Sequence, residues 1–305
     1  MGEILVGTAG WTDSGLLRSG WYPPGIDTPA KRLAYYAERF PLVEVDSTYY
    51  HPPAERTAEL WVRRTPEHFT FNVKAFRLFT RHPTKPSALP RDLRWAAGTR
   101  RDNVYIDDLE PGVVEELWRR FRTALSPLHE AGKLGAVLFQ FPPWFSNGSE
   151  NRRYLVECRD RAAPLPVCVE FRNHTWMEGP ERERTLGFLS EHRLPFVVVD
   201  MPQGHGSSIP PVIASPADPG VVRFHGRSAK WNGRTKEERF GYKYSEAELA
   251  AWVPGLRELS ASVSTTYVVL NNCYRDYAHI NAAQLVELLG STEPERWAGS
   301  RGPYE

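Results

Sequence analysis

Leu42-Val43-Glu44-Val45-Asp46 is a short β-branched run in which apolar and acidic residues alternate, the period-2 pattern of a strand. If Val43 and Val45 face a layer of helices, Glu44 and Asp46 face the axis of a closed sheet. The stretch from Gly220 to His225 repeats the pattern, with Val222 and Phe224 alternating with Arg223 and His225. Working outward, similar runs occur at Ile4-Thr8, Phe69-Ala75, Leu134-Phe141, Pro166-Phe171, Pro195-Asp200 and Thr265-Asn272, which brings the number to eight. Most precede a helical pattern. Thr28-Pro29 supplies an N-cap and a first-turn proline ahead of Leu33, Tyr36, Ala37 and Phe40, and Ser245 with Glu248 forms a capping box. Asn281 with Gln284 resembles a second such box, and further helices are expected at 55–64, 113–129, 150–163 and 180–193.

Eight strand–helix alternations with strands buried on both faces predict an α/β fold, a single (β/α)8 TIM-type barrel over residues 1–290 with a tail at 291–305. The segment from about 76 to 112 reads as a long insertion after the third strand, a place where insertions are usually functional.

The same parity sends Asn72 and Lys74, Gln140, Glu170 and Arg172, and Asp200 to the barrel interior, with Asn271 or Asn272 from the last strand. All lie toward strand C-termini, where barrel enzymes place their chemistry. Glu170 is the preferred general acid or base, with His225, Glu44 and Asp200 as further acid/base candidates. Lys74, Arg172, Arg223 and Arg227 are candidate anion clamps. A buried ion-pair layer serving stability alone is the plain alternative, since acids and bases nearly cancel. His51, His82, His174, His205 and His279 read as solvated or capping residues, and Gly226 as a point of close backbone approach to a ligand.

The chain of 305 residues carries 38 basic against 37 acidic side chains, which excludes a uniformly basic polyanion-coating protein. Local charge differs: residues 76–101 hold seven Arg or Lys against Asp92, and residues 227–243 hold six against Glu237 and Glu238. Both segments follow strand C-termini and should overhang one mouth, with aromatics such as Trp95 and Trp231 interleaved. Basic side chains beside stacking rings suit phosphate-bearing, base-containing ligands. Three scattered cysteines give no disulfide framework and fit a reducing cytoplasm, and no signal peptide or membrane span is visible. No phosphate-cradling Gly loop, dinucleotide fingerprint, HExxH, CxxC or GxSxG occurs. No cofactor is expected. A divalent metal is possible at Glu44, Glu170, Asp200 and His225, although the neighbouring cations oppose it.

The runs Gly7-Thr8-Ala9-Gly10-Trp11, Trp21-Tyr22-Pro23, Val43-Glu44-Val45-Asp46-Ser47-Thr48-Tyr49-Tyr50, Phe71-Asn72-Val73-Lys74, Phe139-Gln140-Phe141-Pro142-Pro143, Val169-Glu170-Phe171-Arg172, Arg223-Phe224-His225-Gly226-Arg227 and Asn271-Asn272, in this order, resemble the YecE-like family, domain of unknown function 72. The resemblance covers about residues 4–290 and implies a TIM-type barrel of unestablished activity. It implies a mouth like that of endonuclease IV barrels, but their metal-binding histidines have no set of counterparts here. Asp46 stands where relatives often carry Asn. Trp11 and Tyr49, within these motifs, join Asp46, Asn72, Gln140, Asn271 and Asn272 as candidate substrate-binding residues.

Three functions are weighed. The first is an enzyme acting on a phosphorylated small molecule or nucleic acid, the second a carbohydrate-active enzyme using Glu44 and Glu170 as a carboxylate pair. The third is a non-catalytic nucleic-acid-binding module, whose binding should depend steeply on salt.

Overall fold

The computed structural model describes residues 2–99, 102–231 and 233–290, so the expected tail at 291–305 lies outside the described residues. Eight parallel strands, β1 (Glu3–Ala9), β2 (Leu42–Val45), β3 (Thr70–Lys74), β4 (Leu134–Gln140), β5 (Val167–Glu170), β6 (Val197–Asp200), β7 (Gly220–Phe224) and β8 (Thr265–Leu270), form one sheet. Their order is β5-β4-β3-β2-β1-β8-β7-β6. At the remaining seam Val169 bridges to Phe196, its N–H donating to the Pro195 carbonyl at 2.9 Å. The sheet is thus a nearly closed (β/α)8 barrel.

Helices α1 (Ser14–Ser19), α2 (Pro29–Ala37), α3 (Glu55–Arg63), α4 (Pro111–Glu130), α5 (Ser149–Ala162), α6 (Glu181–Glu191), α7 (Lys236–Phe240), α8 (Glu246–Ala261) and α9 (Tyr277–Leu288) alternate with the strands. The Thr28 hydroxyl caps α2 at the Lys31 N–H, and Ser245 and Glu248 form the expected box on α8. Asn281 does not cap a helix. It lies inside α9, fully buried, accepting from the Tyr244 N–H at 3.0 Å and donating to the Tyr244 carbonyl at 2.9 Å. The Asn–Gln spacing imitated a cap because this amide binds backbone of another segment instead of its own helix.

Most apolar side chains fill the shell between strands and helices, where Phe79 stacks on Trp118 of α4 at 3.9 Å. A smaller group, Leu5, Ala9, Leu42 and Val269, packs inside the barrel below the polar layer. Gly135 of β4 makes room there, since a Cβ would lie 2.5 Å from Asn72 Oδ1. Between β3 and α4 the chain runs through four short 3-10 turns. No described helix is long and apolar enough to cross a membrane.

Candidate active site

Strand register decides which side chains meet. Glu44 pairs with Ala9 and Asn72, Lys74 with Leu138, Gln140 with Glu170, and Arg223 with Val199 and Val269, so each of these sets points inward. The resulting layer centres on Arg223, which is fully buried. Its Nη2 donates to Glu44 Oε1 and its Nη1 to Glu170 Oε2, both at 2.5 Å. Glu170 Oε1 accepts from Arg172 Nε at 2.6 Å and lies 3.2 Å from His225 Nε2. Asn271 Nδ2 is 3.0 Å from His225 Nδ1. On the other side Asp46 lies 3.5 Å from Lys74 Nζ and 4.0 Å from Arg223. Trp231, from the loop after β7, covers Arg172 at 5.5 Å and His225 at 6.1 Å.

Access is graded. Glu44, Glu170, Arg223 and His225 are buried, while the Asp46 side chain is 37% exposed and Lys74 13%, and Gln140 is half-buried beside them. Arg172 Nη1 has no hydrogen-bond partner among the described residues, and Lys74 Nζ lies 3.5 Å from Asp46 and 4.7 Å from the centre of the Tyr49 ring. Asp46, Gln140 and Lys74 are thus the more open members of the layer, with Arg172 buried beneath Trp231. Below them, Arg223 Nε and Asn72 Oδ1 are buried without partners among the described residues.

Burial and charge set the protonation states. Glu44 is pushed up to about 7, chiefly by burial and also by the Asp46 charge, against the pull of Arg223. Burial also acts to raise Asp46, but Lys74 and Arg223 outweigh it and hold the carboxyl below its usual range. In Glu170 burial is outweighed by Arg172, Arg223 and His225, and the group stays ionised well below the ordinary carboxylate range. His225 is pushed down to about 3 by burial and then by Arg172, so it is neutral.

Several expected site residues lie elsewhere. Asp200 is in register with Phe224, on the helix side of the sheet, where it accepts from Trp252 Nε1 of α8 at 3.1 Å and from Arg227 Nε at 2.9 Å. Val199, not Asp200, faces the axis; the Val197-Val198-Val199 run contains no polar alternation to show this. Arg227 is spent on that outer pair and on Glu248. Asn272 also points outward, donating to Asn281 at 2.9 Å, which leaves Asn271 as the inward member. Trp11 packs against Trp61 of α3 and Phe71, in the helix layer. Gly226 has φ +83°, but a Cβ there would meet Tyr242, so the close approach is made by protein and not by a ligand. His279 is a buried member of α9, packed at 4.5 Å against Trp21 with the rings tilted by 55°, and His82 is buried as well.

The basic segments distribute unevenly. Arg81 pairs with Glu150 of α5, Lys85 with Asp102, and Lys230 with Glu238, away from the inner layer. Arg77 does reach the rim, 5.2 Å from the Tyr49 ring, which Lys74 also approaches at 4.7 Å. Arg77, His82 and the exposed Trp144 are rim residues that sequence reasoning did not single out. The one available signal was Trp144 following Pro142-Pro143 at a strand C-terminus.

A family model described as protein of unknown function DUF72 matches residues 5–302. The chain is 34% identical over 293 residues to UPF0759 protein YunF of Bacillus subtilis strain 168, covering 94% of each. Among solved structures it is similar to a DUF72 family protein of Thermotoga maritima, 34% identical with a TM-score of 0.75 over 94% of this chain and 99% of that one. It is also similar to one from Enterococcus faecalis, 26% identical with a TM-score of 0.73 over 95% and 98%.

Proposed function

The chain belongs to the DUF72 family, whose description carries no activity, and we propose that its barrel mouth is an enzyme site for a phosphate-bearing ligand, worked by carboxylate proton transfer with Arg and Lys holding the anion. The observation that carries this reading is the charge of the mouth. Four cations, Lys74, Arg77, Arg172 and Arg223, stand with three carboxylates, Glu44, Asp46 and Glu170, while His82 and His225 are both pushed down to about 3, by burial first. Four minus three leaves +1, and protonation of Glu44 raises it to +2. An anion completes such a site, and a dication is repelled by it.

Roles follow from access and protonation. Arg172 Nη1 and Lys74 Nζ bind the anion. Glu44, held near 7 by burial, is the group able to give a proton to a leaving oxygen or take one from an attacking hydroxyl or water. Glu170, the stronger candidate from sequence, is too firmly ionised for that exchange and instead fixes both arginines. His225 and Asn271 orient Arg172.

Two alternatives are weaker on geometric grounds. Glycosidases need open space between two carboxyl groups, and here the Arg223 guanidinium occupies the space between Glu44 and Glu170. A catalytic dication needs free ligand atoms, and among the described residues no group of three His, Cys, Asp or Glu could hold one.

The test is titration with inorganic phosphate, read by isothermal calorimetry. Arg172→Ala and Lys74→Ala are each expected to weaken binding roughly tenfold or more, the usual cost of a charge-assisted hydrogen bond. Equal affinity in wild type and both variants, or no phosphate binding by the wild type, overturns the reading.

A further inference from the structure

The loops after β2, β3 and β4 build a second feature beside the inner layer. Tyr50 is 56% exposed and Trp144 59% exposed, large apolar surfaces on a rim where each could have been buried. They are joined by ring contacts through Tyr49 and His82: Tyr50 to Tyr49 at 5.1 Å, Tyr49 to His82 at 5.3 Å, and His82 to Trp144 at 5.8 Å. His82 is fixed by a 2.9 Å contact between its Nδ1 and the Thr80 hydroxyl. It is neutral, because burial and then the Lys74 and Arg77 charges push it down to about 3. The shelf is therefore aromatic along its length and flanked by two cations.

Arg77 is the second observation. Its half-buried guanidinium makes no hydrogen bond and no ion pair among the described residues, and its Nε is buried without an acceptor. The guanidinium lies 5.2 Å from the centre of the Tyr49 ring, and its charge acts on His82. Three other arginines do find carboxylates or carbonyls: Arg81 and Arg120 pair with Glu150 and Asp92, and Arg94 donates to the Ser87 carbonyl. A partly desolvated guanidinium without a counter-ion over the Tyr49 ring, in the row of rings that ends at exposed Trp144, matches the pairing of phosphate and base in a nucleotide unit.

We infer that this shelf is a nucleotide subsite, in which Trp144 and Tyr50 stack on a base and Arg77 takes the adjoining phosphate. The subsite deepens, and rests on, the reading of the mouth as a phosphate site: Lys74, which faces both Asp46 and Tyr49, links the two. A bare phosphate would use Arg77 but leave Trp144 without a partner.

The probes are a fluorescein-labelled oligothymidylate of about ten nucleotides, the length range of one single-strand site, an abasic oligomer with the same backbone, and thymidine monophosphate. Binding is read by anisotropy, with thymidine monophosphate as competitor. Trp144→Ala, which removes an exposed ring, is expected to weaken the oligothymidylate roughly tenfold and leave the abasic oligomer unchanged. Arg77→Gln is expected to weaken both oligomers and to reduce the salt slope by about one. Competition by thymidine monophosphate at an affinity close to that of the oligomer assigns the subsite to a free nucleotide, and much weaker competition assigns it to a strand. Equal wild-type affinity for the two oligomers, no binding of either, or an oligothymidylate affinity unchanged by Trp144→Ala overturns the inference. Phosphate binding that is still lost in Arg172→Ala would then leave the mouth reading standing. Trp144-dependent binding of the oligomer with phosphate affinity unaffected by Arg172→Ala would overturn the mouth reading and leave the subsite.

Discussion

Replacing Arg223 with Met is expected to lower the unfolding free energy at neutral pH by about 3–5 kcal/mol, the usual cost of breaking a buried ion pair by removing one partner. Arg223 is buried and serves both Glu44 and Glu170. Met fills part of the volume and leaves two buried carboxyls short of a cation. The pH dependence follows from the sign of each shift. In the wild type Glu170 sits well below its ordinary value, because Arg172, Arg223 and His225 outweigh burial. It thus contributes stability above the unfolded value of 4.5 that is lost as pH falls through its folded value. In the variant both carboxyls rise, so the deficit is greatest at neutral and alkaline pH and narrows in acid, where they protonate. Urea midpoints at unchanged m-value, measured across pH, give the result. Adding Glu170→Gln to the variant should recover part of the loss. A deficit below about 1 kcal/mol, the size of an exposed pair, would contradict the geometry.

Glu44→Gln is expected to reduce turnover of a phosphate ester by roughly 10²–10⁴-fold, the range of general acid–base assistance, while inorganic phosphate still binds. Gln keeps the size and can accept from Arg223, but it cannot exchange a proton. The shift also predicts a stability signature. Burial raises Glu44 from 4.5 to about 7, so its contribution is fully present below the unfolded value and declines as pH rises through the folded one. Wild-type activity should inflect near neutrality, and the variant should lose both the inflection and that part of the stability slope. Because Glu44 and Asp46 interact, the inflection belongs to the pair. Wild-type turnover retained in Glu44→Gln would remove Glu44 from the chemistry, and salt-dependent oligonucleotide binding without any turnover would favour a binding module.

The barrel was legible because its strands are near-continuous apolar runs with polar residues at their C-terminal ends, and alternation in Leu42–Asp46 and Gly220–His225 gave the inward face directly. Where alternation is missing, parity was not legible. Asp200 follows three valines, and only its register with Phe224 puts it against Trp252 and Arg227. Asn281 carried a capping pattern that its tertiary partner overrides. Of the site, the membership of Glu44, Glu170, Arg172, Arg223 and His225 could be read, but their division of labour could not. That division depends on one guanidinium reaching two carboxylates 126 residues apart, Glu44 and Glu170. Arg77 was visible as one of seven basic residues in its segment, and its place over the Tyr49 ring is a tertiary contact that the sequence does not show.

On the proposed function, the free donors of Lys74 and Arg172 form an anion site at the barrel mouth. Tungstate, a heavy phosphate surrogate, tests this directly by anomalous scattering from soaked crystals. A peak is expected within hydrogen-bond reach of Lys74 Nζ and Arg172 Nη1, and it should disappear in Arg172→Ala. Tungstate bound only elsewhere on the surface, with the mouth vacant at saturating concentration, would contradict it.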